Sequence, residues 1–417
     1  MRVAVLGGGI AGVCTALALA ERGVAVDLYE QDAALLSRTS YWNEGKIHLG
    51  FVYALDRSGR SAVRMLEGAL SFRRLLVQWV PSDVFDHAVS APFVYAVHRD
   101  TMLEPHALEA HFTEVARVFS ELAAGGGPHY VAATGPTLWR RHDPAQTRAI
   151  FDPRAVIASY QTEERSVDPF CVAGALRQAV AASPVTTLTA TTVCGVRRIR
   201  RGFEVIGTNG GAPVRETYTA VVNALWENRL GIDRTVGRME RRPILHRLKV
   251  GLHSRPSMPV GVPSVTFVSG PFGDTVQFPR RAYVSWYPAG LLTTSRAAVP
   301  PALDAEVARR DPDAIERETL GRVSSLFAGE HAALASTTGH WTVGGGYISA
   351  WARTGIHHAR SRLHQRFDVG VDSRDGYHSI DTGKYTLGPH LGHVVAQRIV
   401  PARAVGGPLN GRRVHVN

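Results

Sequence analysis

Lysine is nearly missing from this 417-residue chain: Lys46, Lys249 and Lys384 are its three lysines among 47 basic residues, and the rest are arginine. The net charge of +11 is therefore an arginine charge. With no lysine-rich run, no zinc-finger spacing and no aromatic-basic RNA motif, it argues against a nucleic-acid partner and for attraction of an anionic small molecule. Cysteine is scarce too. Cys14, Cys171 and Cys194 are odd in number and form no CxxC pair, which excludes a disulfide framework and a zinc site and leaves small core residues as the expectation. No stretch approaches eighteen consecutive apolar residues, so no membrane span is expected. Three consecutive glycines interrupt the apolar start, which argues against a secretory leader and makes cytoplasmic residence the default. There is no internal repeat, no G-x-S-x-G elbow and no phosphate-binding G-x-x-x-x-G-K-[ST]. His390 and His393, and the adjacent His357 and His358, come without convergent carboxylates or cysteines, so no metal is expected. What remains is an ordinary globular composition, 45% apolar and 20% charged, of a length that suggests two or three domains.

The strongest pattern lies in the first thirty residues. Arg2 to Leu6 is a short β-rich run. It leads into Gly7-Gly-Gly9-Ile10-Ala11-Gly12, a G-x-G-x-x-G, then an apolar helical stretch from Val13 to Arg22 that Gly23 closes. A second strand, Val24 to Tyr29, ends in Glu30, followed by Gln31. Each part has a physical task. Gly7 permits a tight turn, Gly9 lets backbone approach a pyrophosphate, and Gly12 lets helix and strand pack closely. The helix N-terminus offers free amides to phosphate, and Glu30 stands where a carboxylate bonds ribose hydroxyls and disfavours a 2′-phosphate. Strand, helix, closing glycine and terminal acid in register confirm a dinucleotide site, while FAD and NAD both remain open on this motif alone.

Further segments narrow the choice. Arg38-Thr-Ser-Tyr-Trp-Asn43-Glu-Gly-Lys46-Ile47-His48-Leu-Gly50 resembles the loop that runs along the flavin in the D-amino-acid-oxidase-like (DAO) family of FAD oxidoreductases. Its Asn43-x-Gly-x-Ile-His48-x-Gly50 core is most similar to hydroxyacid-oxidising members. Near the other end, Gly376 to Gly392 contains Gly383-Lys384-Tyr385-Thr386-Leu387-Gly-Pro389. It is similar to the family's last segment, a glycine turn before a helix aimed at the flavin. Ser166-Val-Asp168-Pro169 resembles the family's Val-Asp-Pro, with Asp168 expected at a helix N-cap and Pro169 at its first turn. Val185 to Val205 reads as a β-meander, and Thr219 to Ala224 as the strand returning to the cofactor sheet. The resemblance implies FAD as cofactor. It also implies an α/β fold: a Rossmann-type, glutathione-reductase-like FAD domain with an interleaved α+β substrate domain on an antiparallel sheet. We expect the FAD domain at 1–85, 151–240 and 336–417, and the substrate domain at 86–150 and 241–335. In the latter, Ala91 to Thr101 reads as a strand and His106 to Ala123 as an amphipathic helix.

Flavin chemistry needs a donor C–H held over the ring, an anchor for the substrate and a route for a proton. His48, on the flavin loop, is the first candidate, as a base, a hydrogen-bond partner or a covalent attachment point. Lys46 lies two residues before it and on the same side of an extended loop. On the strand-like HRLKVGLH, Arg247 and Lys249 share one face by period-two alternation, placed to hold a carboxylate, while Leu248 and Val250 share the other. Tyr283, Trp286 and Tyr287 are candidate cavity walls, Lys384 a cation beside the flavin, and Tyr347, after Gly344-Gly-Gly346, part of a turn at the ring's edge. The expected activity is hydride removal from a C–N or C–O bond of a small polar, anionic substrate such as an amino or hydroxy acid. The alternative is an NAD(P)H-using FAD monooxygenase. Its usual Gly-Asp pair before the C-terminal proline turn is only partly matched by Ser379-Ile-Asp-Thr-Gly383.

Overall fold

The computed structural model describes residues 1–124, 130–254 and 262–401. The parts of the expected domains at 125–129, 255–261 and 402–417 lie outside the described residues. β1 (Arg2–Leu6) and β2 (Ala25–Tyr29) pair in parallel, with α1 (Ile10–Ala20) between them in the chain. The apolar run of β1 is explained by burial on both faces. Val3 and Val5 pack with α1, while Ala4 and Leu6 enter a second core against a three-stranded sheet. Around β1 and β2 the six-stranded sheet runs Gly370–Arg374, Tyr377–Asp381, Ala220–Asn223, β1, β2, Thr186–Leu188. It is parallel except for the hairpin at its 370–381 edge. The strand expected at 219–224 is thus the parallel neighbour of β1. The meander lies later than expected, as an antiparallel sheet of Thr191–Ile199, Gly202–Asn209 and Ala212–Tyr218. Its first expected residues, Thr186–Leu188, extend the parallel sheet instead. Cys14 is buried, but Cys171 is half-buried and Cys194 exposed, so the expectation of three core cysteines fails for these two.

Asp168 caps the helix Pro169–Ala181 by accepting from the Phe170 amide at 2.9 Å. The helix Gly388–Ile399 packs across α1 because Gly388 and Gly392 present no Cβ. One on Gly392 would lie 2.9 Å from the Thr15 nitrogen, and one on Gly388 2.6 Å from the Ile10 side chain. Sandwiched in this way, α1 is buried from Ile10 to Leu19.

A nine-stranded sheet forms the second layer. Along its main path run Leu291–Ser295, Ile244–Ser254, Ala282–Trp286, Gly273–Gln277, Val265–Val268, Val94–His98, Val156–Thr162 and Trp139–Arg141, and Trp341–Trp351 pairs the long strand Ile244–Ser254. It is mixed rather than purely antiparallel, since Val265–Val268 pairs in parallel with Val94–His98. Two of its strands fall in stretches assigned above to the FAD domain. Val156–Thr162 joins because it pairs with Val94–His98 and buries Ala158 and Tyr160. Trp341–Trp351 joins by pairing residue for residue with the eleven of Ile244–Ser254. Tyr347 therefore sits mid-strand, fully buried, and not in a turn. The alternation expected on the long strand is present. Leu248, Val250 and Leu252 enter a core with Ile315, Leu320 and Val323 of the helix Pro312–Ser324, while Arg247, Lys249, Gly251 and His253 occupy the other face.

Candidate active site

Between the two layers lies an elongated cleft of about 1340 Å³ of empty space, its open mouth included. One end is built by the glycine turn. Gly7 has φ +101°, and a Cβ on Gly12 would sit 1.9 Å from the Gly7 carbonyl oxygen, so turn and helix start touch as only glycine permits. Gly7, Gly9, Ile10 and Ala11 line the cleft beside Glu30 and Gln31. The Gly8 and Asp32 amides donate to the two carboxylate oxygens of Glu30 at 2.9 and 3.0 Å, fixing it at the end of β2. Arg38 lines the same end, held by Asp32, with Glu227, whose carboxyl burial pushes up to about 7. A helix N-terminus with no side-chain cap from Gly9, a fixed ribose-side acid and backbone bare of Cβ atoms suit the adenosine diphosphate half of a dinucleotide.

The flavin loop forms the middle. Asn43 locks its turn by accepting from the Gly45 amide at 2.7 Å and donating to the Thr39 carbonyl at 2.9 Å. Thr386, fully buried, accepts from the His48 amide at 3.1 Å and donates to the Lys46 carbonyl at 3.0 Å, tying the loop to the C-terminal turn. Tyr130 donates to the Ile47 carbonyl at 2.6 Å. Asn43, Lys46, His48, Gly383, Lys384 and Tyr385 line the cleft. Gly12, Ile47, Thr386 and Leu387, also expected at the cofactor, are not in its wall and act behind it, by close packing or by the bonds just described.

At the far end the large sheet contributes Lys249, Gly251, Tyr283, Gly346, Tyr347 and Ile348. Gly344 and Gly346 let that sheet reach the loop: a Cβ on Gly344 would lie 2.2 Å from the Trp42 ring, and one on Gly346 2.1 Å from the Thr39 hydroxyl. Trp42, Phe170 and Tyr283 surround the His253 ring at centroid distances of 5.3, 5.2 and 4.9 Å. Trp286 is packed against the sheet's other core, away from this wall.

All three lysines of the chain line this one cleft. Lys46, 3% exposed, donates to Asp274 at 2.6 Å and to the Thr266 hydroxyl. Lys249 donates to Ser285 at 3.2 Å. Burial brings Lys384 down to about 8, a fall that Glu44 opposes. Burial alone would push Glu44 upward, yet Lys384, Lys249 and Lys46 hold it below the usual carboxylate range. His48 is buried with Nδ1 at 3.6 Å from Glu164, and burial together with Lys384 pulls its pKa down, keeping the imidazole neutral. Glu164, against its own burial, is held low by His48 and Lys46 and accepts from the Leu49 amide and the Tyr95 hydroxyl. Arg247 departs from its expected place in the wall. Its guanidinium lies behind it, donating to the Tyr287 hydroxyl at 2.9 Å. Glu44, Glu164, Asp274 and Arg366 escaped the sequence reading. Glu44 alone lay inside a motif already quoted, whereas Glu164 meets the Leu49 amide across 115 residues and Asp274 meets Lys46 across 228. Among the described residues no group of three or more His, Cys, Asp or Glu side chains is arranged to hold a metal ion, and no helix is long and apolar enough to cross a membrane.

A groove suited to a dinucleotide in one layer, closed at its end by a second sheet that brings Lys249 into the wall, defines a dinucleotide-binding protein. The sequence matches the family described as DAO, FAD dependent oxidoreductase, over residues 2–398. Among solved structures it is similar to an L-α-glycerophosphate oxidase from Mycoplasma pneumoniae with FAD bound, at 14% identity and TM-score 0.65, over 95% of this chain and 94% of that one. It is also similar to a glycine oxidase from Geobacillus kaustophilus, at 16% and 0.64 over 97% and 96%. A third likeness is to an L-amino acid deaminase from Proteus myxofaciens, at 17% and 0.62 over 97% and 90%. No curated protein sequence matches the chain. The chain belongs to the DAO family: it is an FAD-dependent oxidoreductase, and FAD is its cofactor.

Proposed function

We propose that this enzyme removes a hydride from the carbon of a C–N or C–O bond in a small anionic substrate, an amino or hydroxy acid. The presence of all three of the chain's lysines in the wall of this one cleft carries this reading. Cations in the cavity wall attract an acid and orient it. FAD, when bound, supplies the two-electron acceptor. Lys249 and Lys384 hold the substrate carboxylate. His48, in the cleft wall, takes the proton from the substrate's oxygen or nitrogen. Tyr283 closes the wall against water. The likeness to proteins named as oxidases and deaminases of small acids supports this substrate class, and the monooxygenase alternative finds no support in the family or in these relatives. Three unpaired cysteines fit a cytoplasmic setting.

The yellow holoenzyme, mixed without oxygen with candidate amino and hydroxy acids, is expected to bleach with substrate alone. Bleaching by NAD(P)H and by no acid would replace this reading with the monooxygenase.

A further inference from the structure

Two buried arginines lie behind the cleft wall, within reach of each other's field, and neither has an ion-pair partner among the described residues. Arg247 lies on Ile244–Ser254 directly across from Ile348. Arg366 donates from Nη1 to the carbonyl of the next residue, Ser349, at 3.0 Å. Both are 4% exposed. Among the described residues no carboxylate is within ion-pair distance of either. Asp381, the acid whose field reaches Arg366, is engaged with Arg229 at 3.5 Å. Arg247 Nε is buried without a hydrogen-bond partner, and so is the hydroxyl of Tyr53, which feels Arg366. The fields of both guanidiniums also reach Lys384 in the cleft wall.

Burying two like charges together is costly unless something compensates them. The strain registers on Arg366, which burial and Arg247 bring down to about 10, still charged at neutral pH. A guanidinium does not discharge readily, so the compensation it awaits is an anion. The charge balance of the whole region agrees. Lys46, Lys249, Lys384, Arg247 and Arg366 face the carboxylates of Glu44, Asp274 and Glu164, and His48 is neutral. Two positive charges are left over, the charge of a dianion.

We propose that Arg247 and Arg366 form a distal anion subsite, so that the substrate is an acid bearing a second anionic group, a carboxylate or a phosphate, beyond the reacting carbon. Lys249 and Lys384 hold the first group and the two forks of the arginines bracket the second. This rests on the reading that the cleft takes a small acid.

The test uses unreactive acids and the visible spectrum of the bound flavin, so it needs no turnover. Propionate is the single anion, and succinate, glutarate and phosphoglycolate carry two anionic groups. The wild-type holoenzyme is expected to bind the best of these at least about tenfold more tightly than propionate, as charge-assisted bonds to a buried group require. Whether glutarate or phosphoglycolate leads identifies the second group. Arg366→Gln is expected to reduce the advantage to under about threefold and to weaken the dianions more than propionate. If that variant loses FAD, Arg366→Lys, which cannot fork, is expected to lose part of the advantage. Equal binding of mono- and dianions by the wild type would overturn the subsite, as would proportional weakening of both in Arg366→Gln or an undiminished advantage in Arg366→Lys. The two readings fail separately: dianion preference without bleaching by any acid sinks the proposed reaction alone, and bleaching by simple monoacids without dianion preference sinks the subsite alone.

Discussion

Removing Asp274 tests whether the flavin loop is held to the large sheet by charge. Lys46 is 3% exposed and the Asp274 side chain 16%, with Nζ and Oδ1 at 2.6 Å, and Thr266 donates to the same carboxylate oxygen at 2.9 Å. Both partners are too enclosed for water to take over when one is lost. Breaking such a pair costs about 3–5 kcal/mol, most of it the penalty of stranding the remaining charge, whereas removing both charges is far cheaper. Asp274→Ala is therefore expected to lose about 3–5 kcal/mol, and the double variant Lys46→Met/Asp274→Ala less than that single one. The assay is urea unfolding of the holoenzymes at saturating FAD, the four proteins closing a double-mutant cycle. There is also a pH signature. Burial works to raise the Asp274 pKa, but Lys46 and Lys249 hold it well below the ordinary carboxylate value. A depressed carboxylate stabilises the fold above its unfolded pKa of about 3.9, and that stability is lost as pH falls through the lower folded value. Wild type should lose more stability on the acid side than Asp274→Asn. A cost under about 1 kcal/mol for Asp274→Ala, or a double variant equal to the sum of the singles, would refute the reasoning.

Two further outcomes follow from the site. The profile of kcat/KM is expected to rise with pH through a value below 6.5, as His48, lowered by burial and Lys384, becomes neutral, and to fall again above about 8 as Lys384 discharges. Lys384→Met should abolish the descending limb and keep the rising one, and a limb near 8 that survives would remove Lys384 from substrate binding. Gly12→Val should yield protein without bound flavin, because its Cβ would lie 1.9 Å from the Gly7 carbonyl; a yellow variant with normal FAD content would contradict the geometry of the turn.

The parts legible in the sequence are those whose physics is local. The strand Arg2–Leu6, the glycine turn, the acid ending β2 and the Asp168-Pro169 helix start each depend on residues a few positions apart, and each forms at its expected place. Period-two alternation likewise placed Lys249 on the cleft side and Leu248 on the core side. Illegible were the features that need a distant partner. Lys46 finds Asp274 across 228 residues, and the Leu49 amide finds Glu164 across 115. Trp341–Trp351 hid because three glycines at its centre read as a turn. They are extended because their missing side chains make room for Trp42, Thr39 and the Lys249 backbone. Arg247 had the right strand and face, but alternation gives no depth, and Tyr287 draws its guanidinium behind the wall.

The scarcity of lysine takes on physical sense from this placement. Where the fold needs only a positive charge on its surface, arginine supplies it, as in the pairs of Arg117 with Glu114 and Arg154 with Asp152. The three positions in the cleft wall make different demands. At Lys46 a compact ammonium bonds two converging oxygens of Thr266 and Asp274, which a planar fork does not match. At Lys384 the cation has a pKa near 8 and can give up its proton within the working range, which arginine cannot do. The behaviour of Arg247 and Arg366 is the converse. They sit where charge has to persist without a protein counter-ion, and there the residue that resists discharge is the one present. On this reading Lys384→Arg preserves charge at pH 7 yet fixes it above pH 8. It should shift the alkaline limb of kcat/KM upward rather than lower activity at its plateau, an outcome that separates the role of a titrating cation from that of a permanent one.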